Sequence, residues 1–376
     1  MTNHAVLSAS ASHRWLNCPP SVRLTERIPD NGSIYAAEGS EAHELCEFKL
    51  RQLLGMEAHN PLDTPIGLRY YDGTMEDAAT GYAAFVLELL EEIRKTCSDP
   101  IVMVEQKLDY SRWVKDGYGT GDAVIVADGT LHVVDFKYGT GVLVSAEGNS
   151  QMRLYALGAL DMFGELYDID TVVTTIYQPR LASISTDTIS KDDLLDWAEN
   201  TLRPLADQAY KGEGDLNAGS WCRFCKLRNT CRKRAEANLA MAQHDFKLPP
   251  TLSDEEIAVI LDKLDDLISW AGDVKEYALN AALHGTRFHG WKLVEGRSNR
   301  RYTDETAVAQ IVSGTGRDPY EHKLLGITAM EKLLGKKQFA TLLSDLVERP
   351  QGKPVLVPTS DKRPEMKNAK NDFANN

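Results

Sequence analysis

The amino-acid sequence predicts an α/β fold, a mixed sheet flanked by helices with a helical region behind it, and three observations carry that prediction. Segments with helical apolar spacing alternate with short β-branched runs over the first 235 residues. Two of those runs are separated only by Asp128-Gly129, the strongest short-range hairpin signal. After a break at Lys247-Leu248-Pro249-Pro250, Ser253 and Glu256 form a capping box that opens a long amphipathic helix.

The elements follow in order. Ser40 to Leu50 reads as a helix with Ser40 as its N-cap. A second helix, from about Glu76 to Lys95, carries Ala79, Tyr82, Ala83, Val86, Leu89, Leu90 and Ile93 on one face. Strands are expected at Ile101–Glu105, Asp122–Ala127 and Thr130–Phe136, a helix at Ser150–Phe163 and a β-branched strand at Thr171–Tyr177. A further helix with Leu194, Leu195, Trp197, Ala198, Leu202 and Leu205 leads into a group of cysteines. The long helix runs through Ile257, Ile260, Leu261, Leu264, Leu267, Ile268 and Ala271. The domains expected are 1–235, a mostly helical accessory region at 251–349, and a tail at 350–376. That tail, with Pro350, Pro354, Pro358 and Pro364 and a polar ending, lacks the apolar residues to fold and is expected to be disordered.

Composition bounds the function. The 376 residues, 43% hydrophobic and 26% charged, suit a globular protein with a full core. No run of 18 apolar residues occurs, which argues against a membrane span, and the first residues lack a basic segment followed by an apolar one, so a cytoplasmic protein is expected. The net charge of −13 speaks against nucleic acid only as an average, since DNA responds to local patches. One patch exists: Arg223, Lys226, Arg228, Arg232, Lys233 and Arg234 lie in one segment with no acid among them. A solvated helix face is the plain reading of such a run, but this one coincides with Cys222, Cys225 and Cys231.

The chemistry concentrates in the hairpin. A two-residue turn at Asp128-Gly129 pairs Ala127 with Thr130, and the same register sets Asp122 opposite Asp135. Opposed residues have Cβ atoms about 4.5–5.5 Å apart on one face. Lys137 projects from that face too, which continues below as Val124/Val133 and Val126/Leu131. Two carboxylates so close in an apolar sheet repel unless a proton or cation intervenes. A hard divalent ion such as Mg²⁺ or Mn²⁺ accepts one or two carboxylates together with substrate phosphates. Lys137 would then position attacking water or offset charge developing on the phosphate. The alternative is a surface Asp–Lys pair at a strand end.

Gly119-x-x-Asp122, Asp135-x-Lys137 and Gln151-x-x-x-Tyr155, preceded by Gly39-Ser-Glu-Ala-His43, resemble the RecB-type branch of the PD-(D/E)xK nucleases. The resemblance implies a restriction-endonuclease-like core. It implies that His43, Asp122 and Asp135 ligate the metal with the Phe136 carbonyl contributing, and that Gln151 and Tyr155 line the site near the DNA backbone.

Cys222-x2-Cys225-x5-Cys231 supplies three thiolates, and Cys18, before Pro19-Pro20, is a candidate fourth. Four thiolates suit either zinc or a cubane iron–sulfur cluster. One cysteine near the N-terminus and three after the nuclease motifs is an arrangement similar to the iron–sulfur branch of this superfamily, which includes AddB-type and CRISPR-adaptation nucleases. That resemblance implies a [4Fe–4S] cluster stapling the ends of the domain. Cys46 and Cys97 fit no ligand spacing and read as buried thiols. The motif resemblance covers about residues 1–235, and the whole chain resembles a mostly phage-encoded subfamily, with no chemistry assigned beyond residue 236. The function implied is a divalent-metal-dependent deoxyribonuclease, with exonuclease action the expected mode, in phage or bacterial DNA recombination, replication or repair. Its partner would be DNA, with a recombination or single-strand-binding protein as a further one. The alternatives are a non-catalytic DNA-end-binding module on this fold and a zinc-stabilised interaction protein.

Overall fold

The protein is seen here as a computed structural model that describes residues 5–29, 32–242, 254–294, 304–314, 318–320, 325–343 and 346–347. Its residues fall into two compact units, Met1–Ala281 and Ala282–Asn376. The first opens with α1 (Ser12–Asn17), α2 (Ser21–Thr25), α3 (Ile34–Leu53) and α4 (Gly73–Ile93). The strands β1 (Ile101–Asp109), β2 (Tyr118–Ala127) and β3 (Gly129–Phe136) follow, then α5 (Ser150–Phe163), β4 (Ile169–Gln178) and β5 (Ser183–Ser190). After these come α6 (Lys191–Trp197), α7 (Arg203–Lys211), α8 (Arg232–Ala242) and α9 (Asp254–Leu283).

The five strands form one sheet in chain order, antiparallel throughout except for the parallel pair β3–β4. A parallel pair cannot be joined by a tight turn, and α5 supplies the crossover. Alternation along the central strands separates two cores. Val124, Val126, Leu131 and Val133 pack with α5, whereas Ala123, Ile125, Ala127, Val134 and Phe136 pack with α3 and α4. Each fully buried aliphatic side chain contributes about 1.5–3 kcal/mol, and a one-residue slip would send every one of them into the opposite core, whose packing it does not fit.

The predicted hairpin register holds from Ala127↔Thr130 to Ala123↔Val134. In the turn only Gly129 takes a positive φ, 79°, and its N–H donates to the Asp168 carbonyl, tying the turn to the start of β4. The helix at 150–163 lies where the sequence places it, capped by the Asn149 side chain accepting from Gln151 N and Met152 N.

Three expectations need correction. Ser40 is not an N-cap: α3 begins at Ile34, capped by Ser33, and the Ser40 hydroxyl donates to the Ala36 carbonyl inside the helix. Strand β5, Ser-Ile-Ser-Thr-Asp-Thr-Ile-Ser, was not foreseen, because its two isoleucines stand on opposite faces and no period-two pattern results. It forms as an edge strand because β4 offers it a ladder. The single helix expected around Leu194–Leu205 contains a π segment, Ala198–Leu202, between α6 and α7. Pro204, just beyond it, lacks the N–H of a regular turn, and the wider turn accommodates this.

Helix α9 runs on to Leu283, past the Ala271 read from the sequence, with Asp254, Glu255 and Glu256 in the first turn where the helix dipole favours acids. Ser253 of the capping box lies outside the described residues, as does the tail at 350–376. Contact clustering places nearly all of α9 in the first unit, whereas the sequence reading opens the accessory region at 251. The second unit contains α10 (Glu305–Ser313), α11 (Ile327–Leu334) and α12 (Lys336–Leu343). No described helix is long and apolar enough to cross a membrane.

Candidate functional site

The middle of β1 and of β2 and the end of β3 bring the polar residues together. Asp122 and Asp135 stand one step beyond the last bridge of the hairpin, in its register. Asp122 Oδ2 accepts from the Phe136 N–H at 2.7 Å, and its Oδ1 lies 3.4 Å from His43 Nδ1 on α3. Asp135 Oδ1 accepts from Gln151 Nε2 at 3.1 Å. Its Oδ2 lies 2.7 Å from Lys137 Nζ but off the hydrogen-bond direction, so that contact is an ion pair and the buried oxygen keeps no hydrogen bond. Lys137 Nζ also donates to Gln151 Oε1 at 3.4 Å, and Gln151 Nε2 to the Tyr155 hydroxyl at 3.1 Å. Gly119 has a packing reason: a Cβ there would stand 2.7 Å from the Tyr155 ring. The crowding that the sequence implies is thus relieved by giving each aspartate its own basic partner.

Glu105 is the residue that sequence reasoning missed. In β1, Val104 pairs with Ala123 and Gln106 with Gly121, leaving Glu105 unbridged opposite Asp122. Its φ is +52°, a left-handed conformation that costs a non-glycine residue about 1–2 kcal/mol. Ligand atoms of His43, Glu105 and Asp122 all lie within 4.8 Å of one another. The signal was present: Glu105 shares the strand parity of Ile101 and Met103, so a carboxylate stands where an apolar residue would continue the pattern. The sequence names Asp135 as the third ligand beside His43 and Asp122. In the structure Glu105 completes that trio, and Asp135 is engaged by Lys137 and Gln151. Phe136 meets the site through its N–H, which donates to Asp122.

Electrostatics follow from these pairings. Burial alone would lower the His43 pKa, but Asp122, and then Asp135, lift it to about 9. Burial, reinforced by Asp122, pushes Glu105 up to about 8. For Asp122 the burial penalty is overcome by His43, Lys137 and the Phe136 N–H, which hold it below the usual range. Asp135 is raised by burial, with Lys137 opposing and Asp122 adding to the rise. Lys137 is raised despite burial, because both aspartates favour its charged form.

A second feature lies away from these residues. Cys18, which follows α1, and Cys222, Cys225 and Cys231 line one cavity of about 190 Å³. Burial pushes the Cys222 and Cys225 thiols up. Cys46 and Cys97 are buried elsewhere, Cys46 within the α3–α4 core and Cys97 with its sulfur 3.9 Å from Asp99 Oδ1.

The basic segment is only partly a surface. Arg234, predicted to contact DNA, is fully buried and paired with Asp266 and Asp273 of α9, and half-buried Arg228 also pairs with Asp273. Arg223, Lys226, Arg232 and Lys233 remain exposed; Arg223 donates to the Gly141 carbonyl and Lys226 to that of Ile28. Alternation of charge with burial inside one helix made Arg234 indistinguishable from its neighbours in sequence.

Among solved structures, the crystal structure of SSO0001 is similar to this chain at 13% identity and a TM-score of 0.24, covering 59% of this chain and 96% of that one, a likeness too slight to carry an argument. A family model, by contrast, matches residues 4–364, nearly the full length, and by that match the chain belongs to the family described as protein of unknown function (DUF2800).

Proposed function

We propose that this chain is a divalent-metal-dependent deoxyribonuclease that hydrolyses phosphodiester bonds. One observation carries the reading: His43, Glu105 and Asp122 converge within 4.8 Å while Asp135, across the hairpin, holds Lys137 and Gln151 beside them. Three acids and an imidazole clustered on adjacent strands and α3 form a donor set for Mg²⁺ or Mn²⁺. When bound, such a cation would supply Lewis acidity toward a phosphate and its attacking water. The chain's own residues then divide the work. Lys137 keeps its proton, so it serves as a fixed positive charge for the phosphate oxygens and not as a base. Gln151, bonded to Asp135, Lys137 and Tyr155 together, holds that charge in place. Exposed Arg223, Lys226, Arg232 and Lys233 supply phosphate contacts outside the site. The test is cleavage of end-labelled single- and double-stranded DNA by anaerobically prepared protein, with Mg²⁺ or Mn²⁺ against chelator. No metal-dependent cleavage on either substrate would overturn the reading in favour of a DNA-end-binding module.

The second part of the proposal is that Cys18, Cys222, Cys225 and Cys231 hold a [4Fe–4S] cluster. Thiolates on one zinc stand about 3.8 Å apart, given Zn–S bonds of about 2.3 Å. Among the described residues, the groups whose ligand atoms all lie within 4.8 Å are His43–Glu105–Asp122 and Cys97–Asp99–Asp128. Among the described residues no three of the four thiols lie mutually within 4.8 Å, and the cavity that all four line has room for a larger group. Metal analysis separates the two.

A further inference from the structure

We propose that Arg234 links the group bound by the four cysteines to α9, its buried charge standing at the wall of that site while its terminal nitrogens clamp the helix; this rests on the iron–sulfur reading above. Arg234 lines the cysteine cavity and has no exposed surface. Its Nη1 donates to Asp273 Oδ2 at 2.5 Å and to the Arg228 carbonyl at 3.2 Å, and its Nη2 donates to Asp266 Oδ1 at 3.0 Å. Among the described residues its Nε has no hydrogen-bond partner. A guanidinium stays charged at any working pH, so this buried cation needs negative charge around it. The two aspartates supply part of that charge from the α9 side, and an anionic group in the cavity would supply it from the other.

The lining states the sign of that group. Arg14, Arg228, Arg232, Lys233 and Arg234 contribute cations to the wall, and no acid is among the lining residues. Arg234 also favours the thiolate form of Cys222. A wall of this charge suits thiolates and the sulfides of a cluster, both of which accept N–H···S bonds. Such bonds and nearby cations raise the reduction potential of a cluster.

The same side chain reaches the long helix. None of α9's described residues is buried, so its hold on α8 depends on Asp266 and Asp273. Asn238 of α8 adds one bond, donating to Asp266 Oδ2 at 3.2 Å. Emptying the cavity removes negative charge beside the guanidinium and loosens the residue that anchors α9. Occupancy of the cysteine site and docking of α9 become one equilibrium, with Arg234 as the positioning residue between them.

The experiment uses the full chain, prepared anaerobically, as wild type, as Arg234→Lys, and as the double variant Asp266→Asn/Asp273→Asn. Iron and sulfide content, the midpoint potential in a dye-mediated titration, and hydrogen–deuterium exchange over residues 254–283 are measured on each. Arg234→Lys keeps a charge but loses the planar fork that holds it between the cavity wall and two aspartates of α9, so its potential should fall below that of the wild type, and exchange in α9 should quicken by about tenfold or more. The double variant should quicken exchange in α9 without lowering the potential. Chelator-stripped wild type should show the same quickening in α9 and none in α5, which keeps the test open if Arg234→Lys fails to fold. An iron-loaded wild type whose α9 exchange ignores stripping, or an Arg234→Lys variant with wild-type potential, overturns the role of Arg234 alone. A wild type holding one zinc and no iron overturns the iron–sulfur reading and this inference with it.

Discussion

The two sites of the first unit are built in opposite ways. The carboxylate site is assembled by local geometry: a hairpin of adjacent strands sets Asp122 against Asp135, and Lys137 follows two residues later. The cysteine cavity is assembled across the chain, joining Cys18 to a segment about 200 residues on. A hairpin closes a short loop at little entropic cost, so its site can form early and with one register. A cavity that joins distant segments exists only once the fold does, and whatever binds there stabilises the whole unit. Substitutions in the first site should therefore impair chemistry more than stability, and in the second stability more than chemistry.

The largest expected effect is on cleavage. Asp122→Asn and Asp135→Asn should each lower kcat by on the order of 10³-fold or more while leaving circular dichroism unchanged. Full activity in Asp135→Asn would break the comparison at its first term. Next, Cys18→Ser should remove the iron, and by the loop-entropy argument it should lower unfolding stability by about 3–5 kcal/mol. Cys97→Ser should leave the iron content as it is. Chemical denaturation of the two variants side by side reads the difference.

Glu105 sharpens the comparison, since it is a site residue with a backbone cost. Glu105→Gln should weaken Mn²⁺ binding by about 10–100-fold. Glu105→Gly removes the same ligand but suits φ +52°, so metal-free Glu105→Gly should match or exceed Glu105→Gln in thermal stability. If Glu105→Gly is the less stable of the two, the positive φ at this position carries no strain.

pH gives a smaller effect of definite sign. With chelator present, His43 keeps its proton up to about 9, and Glu105 keeps its own up to about 8. Both values lie above those of the unfolded chain, so the folded state binds more protons. The stability that His43 contributes is whole below about 6.5 and is lost as pH rises through 9; Glu105 adds a loss in the same direction between about 4.5 and 8. Tm should therefore fall as pH rises from neutral to 9 in chelator. Metal binding should release protons over the same range and tighten with pH, which calorimetry in two buffers of different ionisation enthalpy would detect. Smallest of all, truncation after Arg349 should leave cleavage of short DNA unchanged within a factor of about two, because a tail this poor in apolar residues organises no site.

Much of this was legible before any coordinates. The register at Asp128-Gly129, the α5 boundaries and the shared face of Asp122, Asp135 and Lys137 follow from short-range pattern, where turn length and strand alternation leave few choices, whereas His43, Gln151 and Tyr155 joined them only through the family resemblance. The edge strand β5 was not, since its polar residues carry no alternation. Glu105 was not either, because its positive φ is a local deviation from strand geometry that no propensity encodes.

By itself, then, the sequence determined the α/β class, the order of helices and strands through α5, and the pairing that sets two aspartates face to face, because each depends on spacing within a few residues. Only the tertiary structure decided that Glu105 completes the histidine–aspartate trio and that four cysteines share one cavity. It also decided that Arg234 is buried as the tie to α9 while its neighbours Arg232 and Lys233 stay exposed. The physical reason is the same in each case: burial and electrostatic partners come from segments far apart in the chain, and a residue's own neighbours in sequence carry no record of them.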